Sequence, residues 1–176
     1  MLDHVVYAEG RQDAWEKECE AMRSRHAFWP TGVTGAVRDV LPDTARSDDH
    51  VVASVYAEFV RAQGWLRTDR LLTAGEYASM RGALALRGGD RTLSDVRDRF
   101  GPPSALFGPR DPRHGKTLGY ATGDPADPMV FFHFWNGDDS AYEEAVLLAA
   151  RCGAGTFRDT FTLTPAGERR RTLQLP

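Results

Sequence analysis

Residues 92–135 read TLSDVRDRFGPPSALFGPRDPRHGKTLGYATGDPADPMVFFHFW, and this stretch decides the fold. Thr92 with Asp95 three residues on is a capping-box spacing, and Leu93, Val96 and Phe100 line one side of the helix it opens. Gly101 terminates that helix and Pro102-Pro103 forbid its continuation. A loop rich in Gly, Pro and basic residues follows, and after it the period changes from helical to alternating. Residues 117–122 and 129–135 read as paired strands across the turn GDPAD. In the second strand Val130, Phe132 and Phe134 alternate with Phe131, His133 and Trp135, and both sets are mostly apolar. A strand apolar on both sides is a central one with both faces covered.

Upstream, the chain reads as helical. Residues 3–8 form a short strand or a lead-in. From Gln12, the positions Trp15, Cys19, Met22 and His26 share a face, and Trp29-Pro30 ends the helix. Residues 30–36 read as a loop. Val37, Val40 and Leu41 suit one helical turn before Pro42, and residues 42–49 read as a polar connection. Residues 48–63 carry a broad apolar stripe (Val51, Val52, Val55, Tyr56, Phe59, Val60), and Gly64 is placed to close that helix at positive φ. Thr73 and Glu76 announce another capped helix, with Gly88-Gly89 as its stop.

Downstream, residues 140–153 are read as a helix from the Ser140 to Glu143 spacing, with a strand over residues 146–150 the open alternative. Residues 156–164 read as a strand placing Phe157, Asp159, Phe161 and Leu163 on one side, residues 165–170 as a turn, and residues 172–175 as a short edge strand. The sum is one α+β domain over residues 1–176. Its mainly helical part (1–91) precedes a helix and a mostly antiparallel sheet (92–176).

Composition bounds the function. The 176 residues are 41% hydrophobic and 10% aromatic, enough for a core without disulfides or metal. The net charge of -3 argues against a nucleic-acid binder, since Arg169, Arg170 and Arg171 are the one contiguous basic run. Of 22 basic residues only Lys17 and Lys116 are lysine, a bias that fits a GC-rich, bacterial coding genome. Cys19 and Cys152 form neither a zinc pattern nor a disulfide framework. The N-terminus lacks the basic and apolar regions of a signal peptide, and no apolar run matches a membrane span, so a cytoplasmic location is expected.

Motifs of catalysis are weak. Gly115-Lys116-Thr117 looks like the tail of a phosphate-binding loop, but the glycine that motif needs is Arg110 here, and a strand follows where a helix should. No dinucleotide fingerprint is present. Asp48-Asp49-His50 points in several directions from one helix start, which suits helix capping better than metal ligation. Ser104 follows a helix, whereas a nucleophile elbow follows a strand. No cofactor and no metal are expected.

Two candidate sites remain. Arg110, Arg113, His114 and Lys116 make a basic, proline-stiffened loop suited to a carboxylate-rich partner. His133, in an aromatic strand, and Asp159, on an apolar side, would be an acid/base pair if neighbouring strands brought them together, with Tyr120 or Tyr56 in support. The segments DVRDRFGPPS, KTLGY and MVFFHFW resemble the helix, Gly-x-Pro-Ser corner and antiparallel strands of BamE-like and beta-lactamase-inhibitor-like modules, over a quarter of the chain. That resemblance implies protein binding through a sheet face. With no cofactor loop, metal cluster or nucleophile motif, and with a well-formed sheet, many aromatics and one basic loop, the expected function is a non-enzymatic interaction module of inhibitor, immunity or adaptor type that binds through a sheet face and that loop, its partner another protein or a second copy of the chain. The alternative is a small cofactor-independent enzyme with an acid/base pocket between helices and sheet, built on His133 and Asp159.

Overall fold

Two helical layers enclose a sheet in the computed structural model, which describes residues 2–30, 32–41, 49–84, 89–137 and 143–172. The N-terminal half carries α1 (Leu2–Ala8), α2 (Gln12–Ser24), α3 (Thr34–Val40), α4 (Asp49–Ala62) and α5 (Ala74–Gly82), and α6 (Leu93–Phe100) leads into the sheet. The strands β1 (Ala105–Phe107), β2 (Lys116–Tyr120), β3 (Val130–Trp135), β4 (Val146–Arg151) and β5 (Phe161–Leu163) follow in chain order, each antiparallel to its neighbour. A last helix, α7 (Pro165–Thr172), closes the described chain.

β3 lies in the middle of the sheet, as its two apolar faces require. Val130, Phe132 and Phe134 pack with Tyr77 and Met80 of α5 and Leu93 and Val96 of α6. Phe131 turns the other way, with Ala57 of α4. The remaining apolar residues of α2, α3 and α4 join Leu148, Ala149 and Phe157 in a third cluster. The long α4 is thus the main helix of one layer, and its Arg61 donates to the carbonyls of Thr122 (2.9 Å), Asp127 (2.9 Å) and Asp124, fixing the β2–β3 turn against it.

The capped helices stand where Thr73 and Thr92 place them, each with a reciprocal capping box. Gly64 and Gly101 both adopt φ 74, a region that favours glycine. Other expectations are corrected. Residues 3–8 are helical, held in α1. The helix from Gln12 stops at Ser24, short of Trp29-Pro30, and α3 begins inside the expected 30–36 loop. α5 ends at Gly82; Gly88 lies outside the described residues, as do 42–48, with Asp48 of the expected helix cap among them.

The largest correction is β4, expected as a helix. Its register against β3 slips between His133 and Phe134, so that His133 faces Ala149 and Phe134 faces Leu147, and Leu148 is the extra residue. This bulge breaks the alternation a strand would show, and Leu148 and Ala149 fall in the same core cluster. Residues 140–142 lie outside the described residues. The expected strand over 156–164 is a 3-10 turn (Phe157–Thr160) followed by the short β5.

The expected turn at 165–170 and edge strand at 172–175 give way to α7, with 173–175 outside the described residues. Thr164 Oγ1 accepts the Gly167 N–H (3.2 Å) and Pro165 occupies the first helical position, where its missing N–H is no loss.

Candidate binding cleft

The Gly-Pro-Pro-Ser corner is held from several sides. The Arg70 guanidinium donates to the carbonyls of Phe100 (3.0 Å) and Pro102 (3.1 Å), and Tyr120 donates its hydroxyl proton to the Gly101 carbonyl (3.0 Å). Ser104 Oγ accepts the Ala121 N–H (2.9 Å), and the Ser104 carbonyl accepts the Asp69 N–H (2.8 Å). The loop beyond β1 is equally tied. Lys116, itself almost wholly buried, donates to the carbonyls of Pro109 (2.8 Å) and Asp111. Asn136 Nδ2 donates to the Arg113 carbonyl (2.6 Å), and the Ala145 N–H to that of Pro112 (2.9 Å).

Between this corner, α6, β1 and the loop lies a cleft of about 300 Å³. Leu93, Leu106 and Leu118 are apolar in its lining and Arg97, Arg110 and Lys116 are cationic, while Asp69 is its one acid. The sheet register explains the arrangement. Leu106 pairs with Leu118, and Leu118 with Phe132, so all three side chains share the α6 face. Arg97 follows Leu93 by four residues on α6, which puts it on the same helical face above that floor.

The charges are unbalanced. Among the described residues neither Arg97 nor Arg110 makes a side-chain hydrogen bond or ion pair. Burial, reinforced by the charge of Arg97 and partly offset by Asp111, lowers the Lys116 pKa from its ordinary value.

The four basic residues singled out in the loop divide into two pairs. Arg110 and Lys116 line the cleft. Arg113 and His114 turn onto Asp111 instead: Arg113 donates from Nε (3.2 Å) and Nη2 (2.9 Å), and His114 Nε2 stands 3.8 Å away. The Arg113 bonds hold the Asp111 carboxyl well below the usual carboxylate range, so this aspartate consumes part of the loop's positive charge. Arg97 is the residue the sequence reading passed over. Its position four after Leu93 was the available signal.

The residues proposed for acid/base work do not converge. Asp159 is exposed on the 3-10 turn, and no bond joins it to His133. Tyr120 lies on the α6 face of the sheet, opposite to His133, and its hydroxyl is engaged at Gly101. Tyr56 belongs to a ring pair with Trp15 (5.8 Å).

His133 instead faces α4, where Thr117 Oγ1 lies 2.9 Å from its Nδ1 and 2.8 Å from the Nδ1 of His50. One hydroxyl proton serves two imidazoles, so Thr117 donates to one ring and accepts from the other. The two histidines are therefore opposite tautomers. Both Nε2 atoms are buried without a partner among the described residues. Burial first, with Lys116 adding, takes the His50 pKa down to about 4. Burial, then Arg151 and His50, takes His133 well below its ordinary value. Both rings are neutral at pH 7. A hydroxyl beside an imidazole is the geometry of a nucleophile and its base, but Thr117 is 0% exposed and offers a substrate no approach.

Among the described residues, no group of three or more His, Cys, Asp or Glu could hold a metal ion, and no helix is long and apolar enough to cross a membrane. Compared with protein-family models, curated proteins and solved structures, the chain matches none of them. The likeness of the corner to BamE-like and beta-lactamase-inhibitor-like modules rests on its residues alone, and none of these comparisons supports it.

Proposed function

We propose that this chain is a protein-interaction module, of inhibitor, immunity or adaptor type, which receives an acidic segment of its partner in the cleft beside β1. One observation carries the reading. Two guanidinium groups without side-chain partners among the described residues line, together with Lys116, a cleft whose apolar floor holds a single acid. A partner's carboxylates would supply what the fold leaves out, and arginine's planar fork suits them better than lysine would. The leucine floor and the overall charge of -3 favour a peptide with apolar side chains over a nucleic-acid backbone. Cys19 and Cys152 are free thiols, which fits a reducing compartment, and we infer a cytoplasmic location.

The test is a fluorescence-anisotropy titration with a mixture of synthetic nonapeptides in which Glu and Leu alternate with Thr. The wild-type protein binds it, and the Arg97→Glu/Arg110→Glu double variant binds at least ~10-fold more weakly with an unchanged unfolding midpoint, because two charge-assisted contacts are reversed. Binding that ignores the double variant, or a single-stranded oligonucleotide that displaces the peptide, would sink the reading.

A further inference from the structure

The outer edge of β1 is open beside the cationic cleft. The row of backbone groups on the β1 side of the sheet can be traced from its far end. The Cys152 N–H bonds to the Thr160 carbonyl, and the Leu148 carbonyl accepts from Thr164, so even-numbered residues of β4 beyond the bulge face β5 and odd ones face β3. Carried through the register, this alternation turns Phe131 and His133 toward β4. It turns Lys116, Leu118 and Tyr120 toward β3, and Thr117 and Gly119 toward β1. Ala105 and Phe107 then pair with β2, and the N–H and C=O of Leu106 point outward.

Two bonds agree with this assignment. The Ala121 carbonyl, of the same parity as Thr117 and Gly119, accepts the Leu72 N–H (2.8 Å). The Ser104 carbonyl, of the same parity as Leu106, accepts the Asp69 N–H (2.8 Å). The segment around residues 69–72 thus occupies this row as far as Ser104 and no farther. Leu106, next along the edge, has no backbone partner on its outer side among the described residues, and the residue is 38% exposed.

Resting on the cleft reading above, we propose that the partner's segment enters as an extended strand added to the outer edge of β1, continuing the line that residues 69–72 begin. Its backbone exchanges hydrogen bonds with the N–H and C=O of Leu106. Its alternate side chains then fall on the α6 face, because a strand presents every second residue to one side. An apolar side chain there meets Leu106, and a carboxylate two positions away reaches toward Arg97 or Arg110. The recognised chemistry is an extended peptide carrying Glu or Asp two residues from Leu, Ile or Val. Charge complementarity selects this occupant over a second copy of the chain, whose own edge at Leu106 would bring Arg97 and Arg110 against their equivalents.

The experiment separates backbone from charge recognition. The alternating peptide mixture is prepared in two N-methylated forms, one blocked at the amides of its Glu and Leu positions and one at its Thr positions. Strand addition predicts that one form loses at least ~10-fold in affinity while the other keeps most of it, since an added strand offers a single row of amides to β1. It also predicts that the unmodified mixture slows hydrogen exchange of the Leu106 amide. Equal affinity of both methylated forms, with Leu106 exchange unchanged and the Arg97→Glu/Arg110→Glu loss still present, overturns strand addition and leaves the cationic cleft standing. Failure of the unmodified peptides to bind overturns both.

Discussion

At the scale of single residues, the least expected group is the imidazole pair on Thr117. His133 stood out in the sequence because a histidine inside an aromatic strand must satisfy two nitrogens. Its partners were illegible there. Thr117 becomes its neighbour through strand register, and His50 arrives on a helix 67 residues before Thr117. The adjacent aspartates made His50 look like part of a helix cap. The pair has a measurable consequence. Each ring is neutral when folded and takes a proton at about pH 6.5 when unfolded. Below that value the unfolded chain binds more protons, so this contribution is complete above pH 6.5 and is lost as the pH drops toward about 4 for His50, with His133 adding a loss in the same direction. Over that window His50 alone accounts for about 3 kcal/mol. The charges around the pair, Lys116 and Arg151, oppose protonation from both sides. Urea midpoints recorded from pH 7 to pH 4 should fall less steeply in His50→Asn, which keeps a polar atom near the Nδ1 position but has no proton to take. Parallel profiles would show that the ring does not titrate as described.

Elements differ in how openly the sequence declared them. The helices with local caps were legible: Thr73 and Thr92 each signal a start within four residues, and Gly64 and Gly101 each mark an end. β4 was concealed, since a bulge and two covered faces left an apolar run with no alternation. α7 was concealed differently. Its Thr164-Pro165 start is a recognisable helix opening, but Arg169, Arg170 and Arg171 leave it no apolar stripe. What holds it is close backbone approach. A Cβ on Gly167 would stand 2.2 Å from the Leu148 carbonyl oxygen, the atom at the bulge that already accepts from Thr164. Gly167→Ala must therefore push α7 off β4, and a thermal melt should show a loss of about 1–3 kcal/mol, the usual range for overpacking a filled site. An unchanged midpoint would mean that α7 does not rest on the bulge.

For the whole molecule, a sheet covered on both faces followed from residues 92–135, because one strand apolar on both sides demands two layers, and the α+β order followed from the helices read before it. The cleft was half legible. Arg110 and Lys116 could be read from a basic loop, whereas the diversion of Arg113 and His114 to Asp111 depended on the loop's conformation. The layered build also grades the stability. Phe131, Phe132 and His133 are sealed between α4 on one side and α5 and α6 on the other. Native-state hydrogen exchange should find the amides of β3 opening only with global unfolding, and the Leu106 amide, on the open edge, exchanging far sooner. Comparable protection at the two places would contradict the edge assignment.

The guanidinium of Arg151, at the end of β4, donates to the Ser54 carbonyl in α4 (2.9 Å) across 97 residues of sequence, and lies 4.2 Å over the Phe131 ring. Consider the chain as it leaves the ribosome. The apolar stripe of α4 is synthesised long before the strand it rests on, and at ~5–20 residues per second the interval is roughly 5–20 seconds. Through that interval the nascent helical half has an uncovered face and no sheet to cover it. A ribosome stalled between α4 and β4 would therefore carry a chain with an uncovered apolar stripe, not a partly finished fold.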